Sequence, residues 1–429
     1  MRFKLKIIYY YLLIKLRKRL RTRNDIDNYQ KKKCEAFAKK ILIKSPFYRP
    51  FIEAGNFSWK ALPELTKTSF MENFDAINTC GINLEEAMPF ALNAEINRNF
   101  SPEINGITVG LSTGTSGKRG LFLVSENERA RWVALVMSRV IKPRLFKKQK
   151  IAFFLRANSN LYASVSSSLF EFRYFDIFRP LDELLKELNL YSPDILAAPP
   201  SLLIDIASAQ EKEYILIHPS QIISFAEVLH PLQKDYITKQ IKAPLTEVYQ
   251  CTEGFLGVSC SEGSIHLNED FIQINKEWID DDKFYPIITD FTRESQPIVN
   301  YKLNDVLQIK KDPCACGSPF ISLEQIIGRD DDVLIFNNRK IYPDLLVRRI
   351  ALHCNNFQNY TIIQTNENNL DIYIECTKKE MSQTEKYFRE AISGLLFEFG
   401  IQNTELKFKN ERVRIPGNKH RKIIRKICA

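Results

Sequence analysis

Between residues 149 and 250, short apolar runs alternate with helical stretches, and this alternation restricts the fold more than any other feature of the chain. Residues 151–155, 194–198, 221–225 and 246–250 read as strands, and 181–190, 201–209 and 231–241 as helices. Strands that are apolar throughout and separated each time by a helix build a largely parallel sheet covered on both faces. The expected fold class is therefore α/β. The chain has 429 residues, too many for one ordinary core, and its composition changes after Gly328-Arg329. Residues 330–429 read as a smaller α+β unit, with strands near 361–364, 371–375 and 405–408 and a helix over 382–399. The expected division is a basic amphipathic helix over 1–27, a large domain over 28–329 and a small domain over 330–429. Pro46, Pro50, Pro63 and Pro89 are expected to break the helical pattern of residues 28–93.

The net charge of +10 is unevenly spread. Arg2, Lys4, Lys6, Lys15, Arg17, Lys18, Arg19, Arg21 and Arg23 crowd the first 24 residues, with no acid among them. The rest is nearly neutral, so no nucleic-acid partner is expected. The apolar run Ile7–Ile14 is too short for a membrane span, and its flanks do not suit a signal peptide. Two readings stand for this segment: a scaffold helix packed on the main domain, or a helix lying on an anionic membrane surface. Nine cysteines scattered over a large chain are no disulfide framework, so a cytoplasmic location is expected, peripheral on the inner membrane face in the second reading.

The segment Leu111-Ser112-Thr113-Gly114-Thr115-Ser116-Gly117-Lys118-Arg119-Gly120 carries little apolar side chain. Unshielded backbone N–H groups, hydroxyls and one ammonium suit a polyphosphate. The spacing is not that of the common nucleotide-triphosphatase loop, and a plain Gly/Ser turn is the alternative. Further pieces follow in order. Ala226-Glu227 closes a strand. Tyr249-Gln250-Cys251-Thr252-Glu253-Gly254 follows another, where an exposed Glu suits magnesium on phosphates. Asn300-Tyr301-Lys302-Leu303-Asn304-Asp305 offers a carboxylate to a ribose diol, Gly328-Arg329-Asp330-Asp331-Asp332 sits at the composition boundary, and Pro416-Gly417-Asn418-Lys419-His420-Arg421-Lys422 places lysines near the C-terminus.

Taken together, residues 60–429 resemble the adenylate-forming superfamily of acyl-CoA synthetases. The resemblance is to the phenylacetate–CoA ligase branch, which includes deazaflavin-coenzyme adenylyltransferases and capsular polysaccharide-associated proteins. It implies a large domain followed by a small, mobile lid domain. It also implies that Ser112, Thr113, Gly114, Thr115, Ser116, Gly117 and Lys118 grip the ATP phosphates. Glu227 and Tyr249 would line the nucleotide site, Thr252 would touch the α-phosphate and Glu253 would bind magnesium. Asp305 and Arg329 would contact the ribose or phosphate, and Asp331 would be the hinge. Lys419, with Lys422 as its rival, would reach the reacting carboxylate. The implied reaction makes acyl-AMP from a carboxylic acid and ATP, then a thioester with coenzyme A. The alternatives are adenylylation of a coenzyme or saccharide-linked acid without coenzyme A, and a non-catalytic membrane-associated scaffold. A homodimer is a further expectation.

Cys314-Ala315-Cys316 and Cys260 with His266 offer three thiolates and an imidazole, a donor set for tetrahedral zinc if the connecting strands fold back. The other reading is ordinary cysteines and a surface histidine.

Overall fold

The computed structural model describes residues 3–16, 20–54, 57–97, 99, 102–112, 119–141, 148–155, 170–336, 339–353, 357, 359–411 and 422–426. The chain divides into two compact units, one comprising residues 1–303 and 309–325, the other residues 304–308 and 326–429.

In the first unit, helix α1 (Phe3–Leu16) ends well short of the helix expected over residues 1–27, and α2 (Arg23–Lys40) starts afresh. The restart has a local cause: Thr22 is an extended N-cap whose hydroxyl accepts from the Asp25 N–H, while the Asp25 carboxylate accepts from the Thr22 N–H at 3.0 Å. Pro89, expected to break a helix, lies inside α3 (Leu84–Ile96). It stands on the exposed side, and the buried Ala87, Ala91 and Ala94 hold the helix against its neighbours. Strands β1 (Ile107–Leu111) and β2 (Leu121–Val124) form an antiparallel pair, followed by α4 (Glu126–Arg139), which the Ser125–Glu128 capping box opens.

The large sheet follows the alternation read from the sequence, with one further parallel strand, Phe170–Asp176, that the sequence reading did not anticipate. Its strands are β3 (Gln149–Leu155), β4 (Phe170–Asp176), β5 (Ile195–Ala198), β6 (Gln221–Phe225) and β7 (Leu245–Gln250), in the spatial order β4-β3-β5-β6-β7 and parallel throughout. Helices α5 (Leu181–Tyr191), α6 (Pro200–Glu211) and α7 (Pro231–Ile241) lie between them in the chain. Alternate residues of β3 serve opposite faces. Ala152 and Phe154 pack with Leu184, Leu203 and Ile237 of the three helices, whereas Ile151 packs with Ala130, Val133 and Ala134 of α4. Each fully buried Leu, Ile, Val or Phe among them contributes about 1.5–3 kcal/mol.

Beyond β7 the sheet turns antiparallel through β8 (Phe255–Ser259) and β9 (Ile265–Leu267). Strands β10 (Ile272–Trp278), β11 (Lys283–Asp290) and β12 (Ile298–Lys302) form a further antiparallel run.

The second unit has its own core. A hairpin of β13 (Leu334–Phe336) and β14 (Arg339–Ile341) precedes α8 (Pro343–His353). A four-stranded sheet of β15 (Asn359–Asn366), β16 (Asn369–Glu375), β17 (Glu405–Lys409) and β18 (Ile423–Arg425) has the order β17-β16-β15-β18 and packs with α9 (Met381–Glu398). Phe388 of α9 meets Tyr360 and Phe357 edge to face, both at 5.2 Å. The small α+β module expected at the C-terminal end is present.

Candidate active site and metal centre

Neighbouring parallel strands end at one edge of a sheet, and in open α/β sheets ligands bind outside the carboxyl ends of the strands. β6 and β7 are such neighbours, with Phe225 level with Val248. β6 is followed by Ala226-Glu227 and β7 by Cys251-Thr252-Glu253, so both motif carboxylates lie just past the ends of adjacent strands.

Each is held by a specific contact. The Glu227 carboxylate accepts from the Ser201 N–H at 3.0 Å and the Ser201 hydroxyl at 3.1 Å, at the first turn of α6. A negative charge there is favoured by the free N–H groups and the helix dipole. Ala226 reaches this geometry with φ of +72°, a left-handed conformation costly for a residue with a Cβ. Glu253 accepts from the Tyr301 hydroxyl at 3.0 Å. The Tyr301 ring is buried on β12 and set edge to face against Phe70 at 5.3 Å, so its hydroxyl fixes where Glu253 points. Neither Ser201 nor Tyr301 was singled out from the sequence.

The turn carrying Thr252 and Glu253 is tight, with the Cys251 N–H donating to the Gly254 carbonyl at 3.1 Å. A Cβ at Gly254 would stand 3.0 Å from Asp290 Oδ2. Asp290 is buried, which pushes its carboxyl up, and its other oxygen accepts from the Thr292 N–H at 2.7 Å and hydroxyl at 2.6 Å. Tyr249 is buried on β7 opposite Gly257.

The Gly-rich segment is anchored at both ends. The Ser112 N–H donates to the Gly120 carbonyl at 2.8 Å, and the Gly120 N–H donates to the Ser112 hydroxyl at 2.7 Å. Arg119 pairs with Glu95 at 2.5 Å. Thr113, Gly114, Thr115, Ser116, Gly117 and Lys118 lie outside the described residues.

In the second unit, Arg329 Nε stands 3.5 Å from Asp305 Oδ1, bringing two motif residues together. The Asp330 N–H donates to the Asn304 carbonyl at 2.8 Å, and Asp331 belongs to the short 3-10 turn Asp330–Asp332. Lys419 lies outside the described residues; Lys422 is held at β15, its carbonyl accepting from the Ile362 N–H at 2.7 Å and its ammonium 5.2 Å from the Tyr360 ring centre.

Cys260, His266, Cys314 and Cys316 converge within the first unit, their ligand atoms all within 4.8 Å of one another. Cys260 Sγ lies 3.7 Å from Cys314 Sγ, and Cys316 Sγ 3.3 Å from His266 Nε2. Tetrahedral zinc bonds to sulfur and nitrogen imply separations of roughly 3.8 Å and 3.5 Å. His266 Nδ1 lies 3.1 Å from the Phe320 carbonyl, an arrangement that directs Nε2 toward the thiols. The Cys316 backbone N–H bonds to the Cys314 sulfur and holds its thiol down at about 6. Gly317, at φ of +70°, closes this knuckle by donating its N–H to the Cys314 carbonyl at 3.0 Å. The gathering of these four residues was expected from their sequence only if the strands folded back, and β8 and β9 do so.

No protein-family model matches the chain. It is 25% identical to Protein CapK of Staphylococcus aureus over 449 residues, covering 96% of this chain and 91% of that one. It is 26% identical to a phenylacetate–coenzyme A ligase of Thermus thermophilus over 104 residues, 24% of this chain and 22% of that one. Among solved structures, 2-hydroxyisobutyryl-CoA ligase in its postadenylation state, with an acyl-AMP bound, superposes with a TM-score of 0.68 at 18% identity, covering 94% of this chain and 89% of that one. An anthranilate CoA ligase with anthranoyl-AMP gives 0.54 at 11% identity, covering 73% and 64%. The superpositions show that the chain has the fold of the adenylate-forming acyl-CoA ligases, and along nearly all its length it is similar in sequence to Protein CapK.

Proposed function

We propose that the chain is an ATP-dependent, AMP-forming ligase that activates a carboxylic acid as acyl-AMP and passes the acyl group to the thiol of coenzyme A. The observation that carries this reading is the pair of positioned carboxylates, Glu227 and Glu253, beyond the ends of adjacent parallel strands in a chain of this fold. Acyl-AMP is bound in the superposed ligases, and coenzyme A in another structure of 2-hydroxyisobutyryl-CoA ligase.

In this reading the loop Ser112–Lys118 grips the β- and γ-phosphates through backbone amides and the Lys118 ammonium. Tyr249 lies beside the adenine and Thr252 contacts the α-phosphate. Asp305 accepts from the ribose hydroxyls with Arg329 next to it, and Asp331 is the hinge. Glu253 fits a magnesium site: Tyr301 fixes one oxygen and the carboxylate offers the second. Magnesium, when bound, lowers the repulsion between ATP and an incoming carboxylate. Lys419 adds a cation at the reacting oxygens and withdraws before the thiol enters. The four Cys/His residues hold a structural zinc, with all four positions taken by protein.

Pyrophosphate release from ATP with a panel of carboxylic acids tests the reading. Release with several acids and a coenzyme A-dependent second step are expected, and no release with any acid overturns it. Glu253→Gln is expected to lower the adenylation rate by roughly a hundredfold, the size of a lost electrostatic stabiliser. Lys419→Ala should abolish adenylation while ATP still binds; if Lys422→Ala alone does so, the lysine is the other one.

A further inference from the structure

Helix α1 is fastened to the first unit by one side. Ile7 is buried among Val133, Ala134 and Leu135, with Phe3, Tyr10, Tyr11 and Ile14 packed around it. Lys6 pairs with Glu126 at 2.6 Å, the Lys15 ammonium donates to the Ser138 carbonyl at 3.1 Å, and the Arg131 guanidinium lies 5.0 Å from the Tyr10 ring centre. An ordinary scaffold helix would be polar on its outer side. This one is not. Leu5, Ile8, Tyr9, Leu12, Leu13 and Leu16 are 48–80% exposed and follow the spacing of one helical face. Among the described residues, six of the fifteen exposed large apolar side chains stand on this single helix, which marks the face as a binding surface.

We infer that this face docks in the plane of a bilayer surface rich in anionic phospholipid. Fourteen residues make a helix of roughly 21 Å, short of the ~30 Å hydrocarbon core, so α1 cannot cross. Its apolar face is wide enough to enter the boundary between head groups and acyl chains. The charge around it selects the lipid. The first 24 residues hold nine cations and no acid; Lys6 and Arg23 pair with Glu126 and Glu269, while Lys4 is exposed in the first turn of α1 and Arg21 is exposed just before α2. Phosphatidylglycerol-type head groups complement such a rim. A second copy of the chain does not, because a two-fold contact would set the same cationic segment against itself.

Because the inward side is fastened, docking requires no unfolding, and a bound molecule keeps its first unit at the lipid surface. Sedimentation of the full chain with vesicles tests this independently of ligase activity. Vesicles of phosphatidylcholine and phosphatidylglycerol at 7:3 are compared with pure phosphatidylcholine. Wild type is expected to partition roughly tenfold or more in favour of the anionic vesicles, and to be released by salt. Replacing Ile8, Leu12 and Leu13 by Gln on the exposed face should weaken partitioning by roughly tenfold while the circular dichroism and melting temperature hold. Replacing Arg17, Lys18 and Arg19 by Gln should do the same without touching an apolar residue. Failure of wild type to bind, or unchanged binding by the Ile8/Leu12/Leu13 variant, overturns the inference. So does a wild-type dimer that this variant dissociates, since a second copy would then own the face.

Discussion

Tyr301 determines where Glu253 points, and it does so with a single hydroxyl on a ring locked by Phe70. Tyr301→Phe keeps the ring and removes the bond. Adenylation is expected to fall about tenfold, the scale of one hydrogen bond, with the melting temperature nearly unchanged. Initial rates of pyrophosphate release check this. Asp280 gives a pH prediction. Burial works to raise its carboxyl, but Lys283 at 2.9 Å and the N–H groups of Asp282 and Lys283 hold it down at about 2. A folded value below the unfolded one of about 3.9 stabilises the fold above that pH, and the contribution disappears as pH falls through 2. The group is partly exposed, so Asp280→Asn should cost at most about 1 kcal/mol near neutrality, with the difference vanishing below pH 2, by denaturant midpoints. At this scale the sequence was half legible. Glu227 and Glu253 stood out because they follow strands, but Ser201 and Tyr301 lie 26 and 48 residues away from them, and only the assembled sheet brings these partners in.

Elements with a local cause could be read closely. The Ser125–Glu128 capping box opens α4, and the strand and helix at 221–225 and 231–241 have the anticipated bounds. Elements with a tertiary cause could not. α3 runs through Pro89 because buried alanines hold it, and the antiparallel strands β8 to β12 mix polar and apolar residues in no strict alternation. The Cys/His cluster joins the hairpin of β8 and β9 to a knuckle some fifty residues later. If it holds zinc, purified protein carries one equivalent by metal analysis. Chelation or Cys316→Ser should then lower the melting temperature by several degrees, since a closed structural site contributes directly to folding. Absence of zinc from the native protein would leave the four residues as ordinary thiols and an imidazole.

On the scale of the whole molecule, two compact units with separate cores should unfold separately. Calorimetry is expected to show two transitions. Phe388 is fully buried in the second unit, and Phe388→Ala, at about 3–5 kcal/mol, should shift one transition and leave the other in place. Alternation of strands with helices made the parallel half of the first unit legible from the chain, as did the composition change for the small unit. How the sheet continues past β7 depends on long-range pairing that no local pattern encodes. Ala226 is bent into a conformation that glycine would adopt freely, so the molecule forgoes some resistance to unfolding at the position that aims Glu227. A sturdier protein is therefore within reach of a single methyl deletion, and what that deletion does to the rate of the proposed adenylation measures how much of that rate depends on rigidity at one strand end.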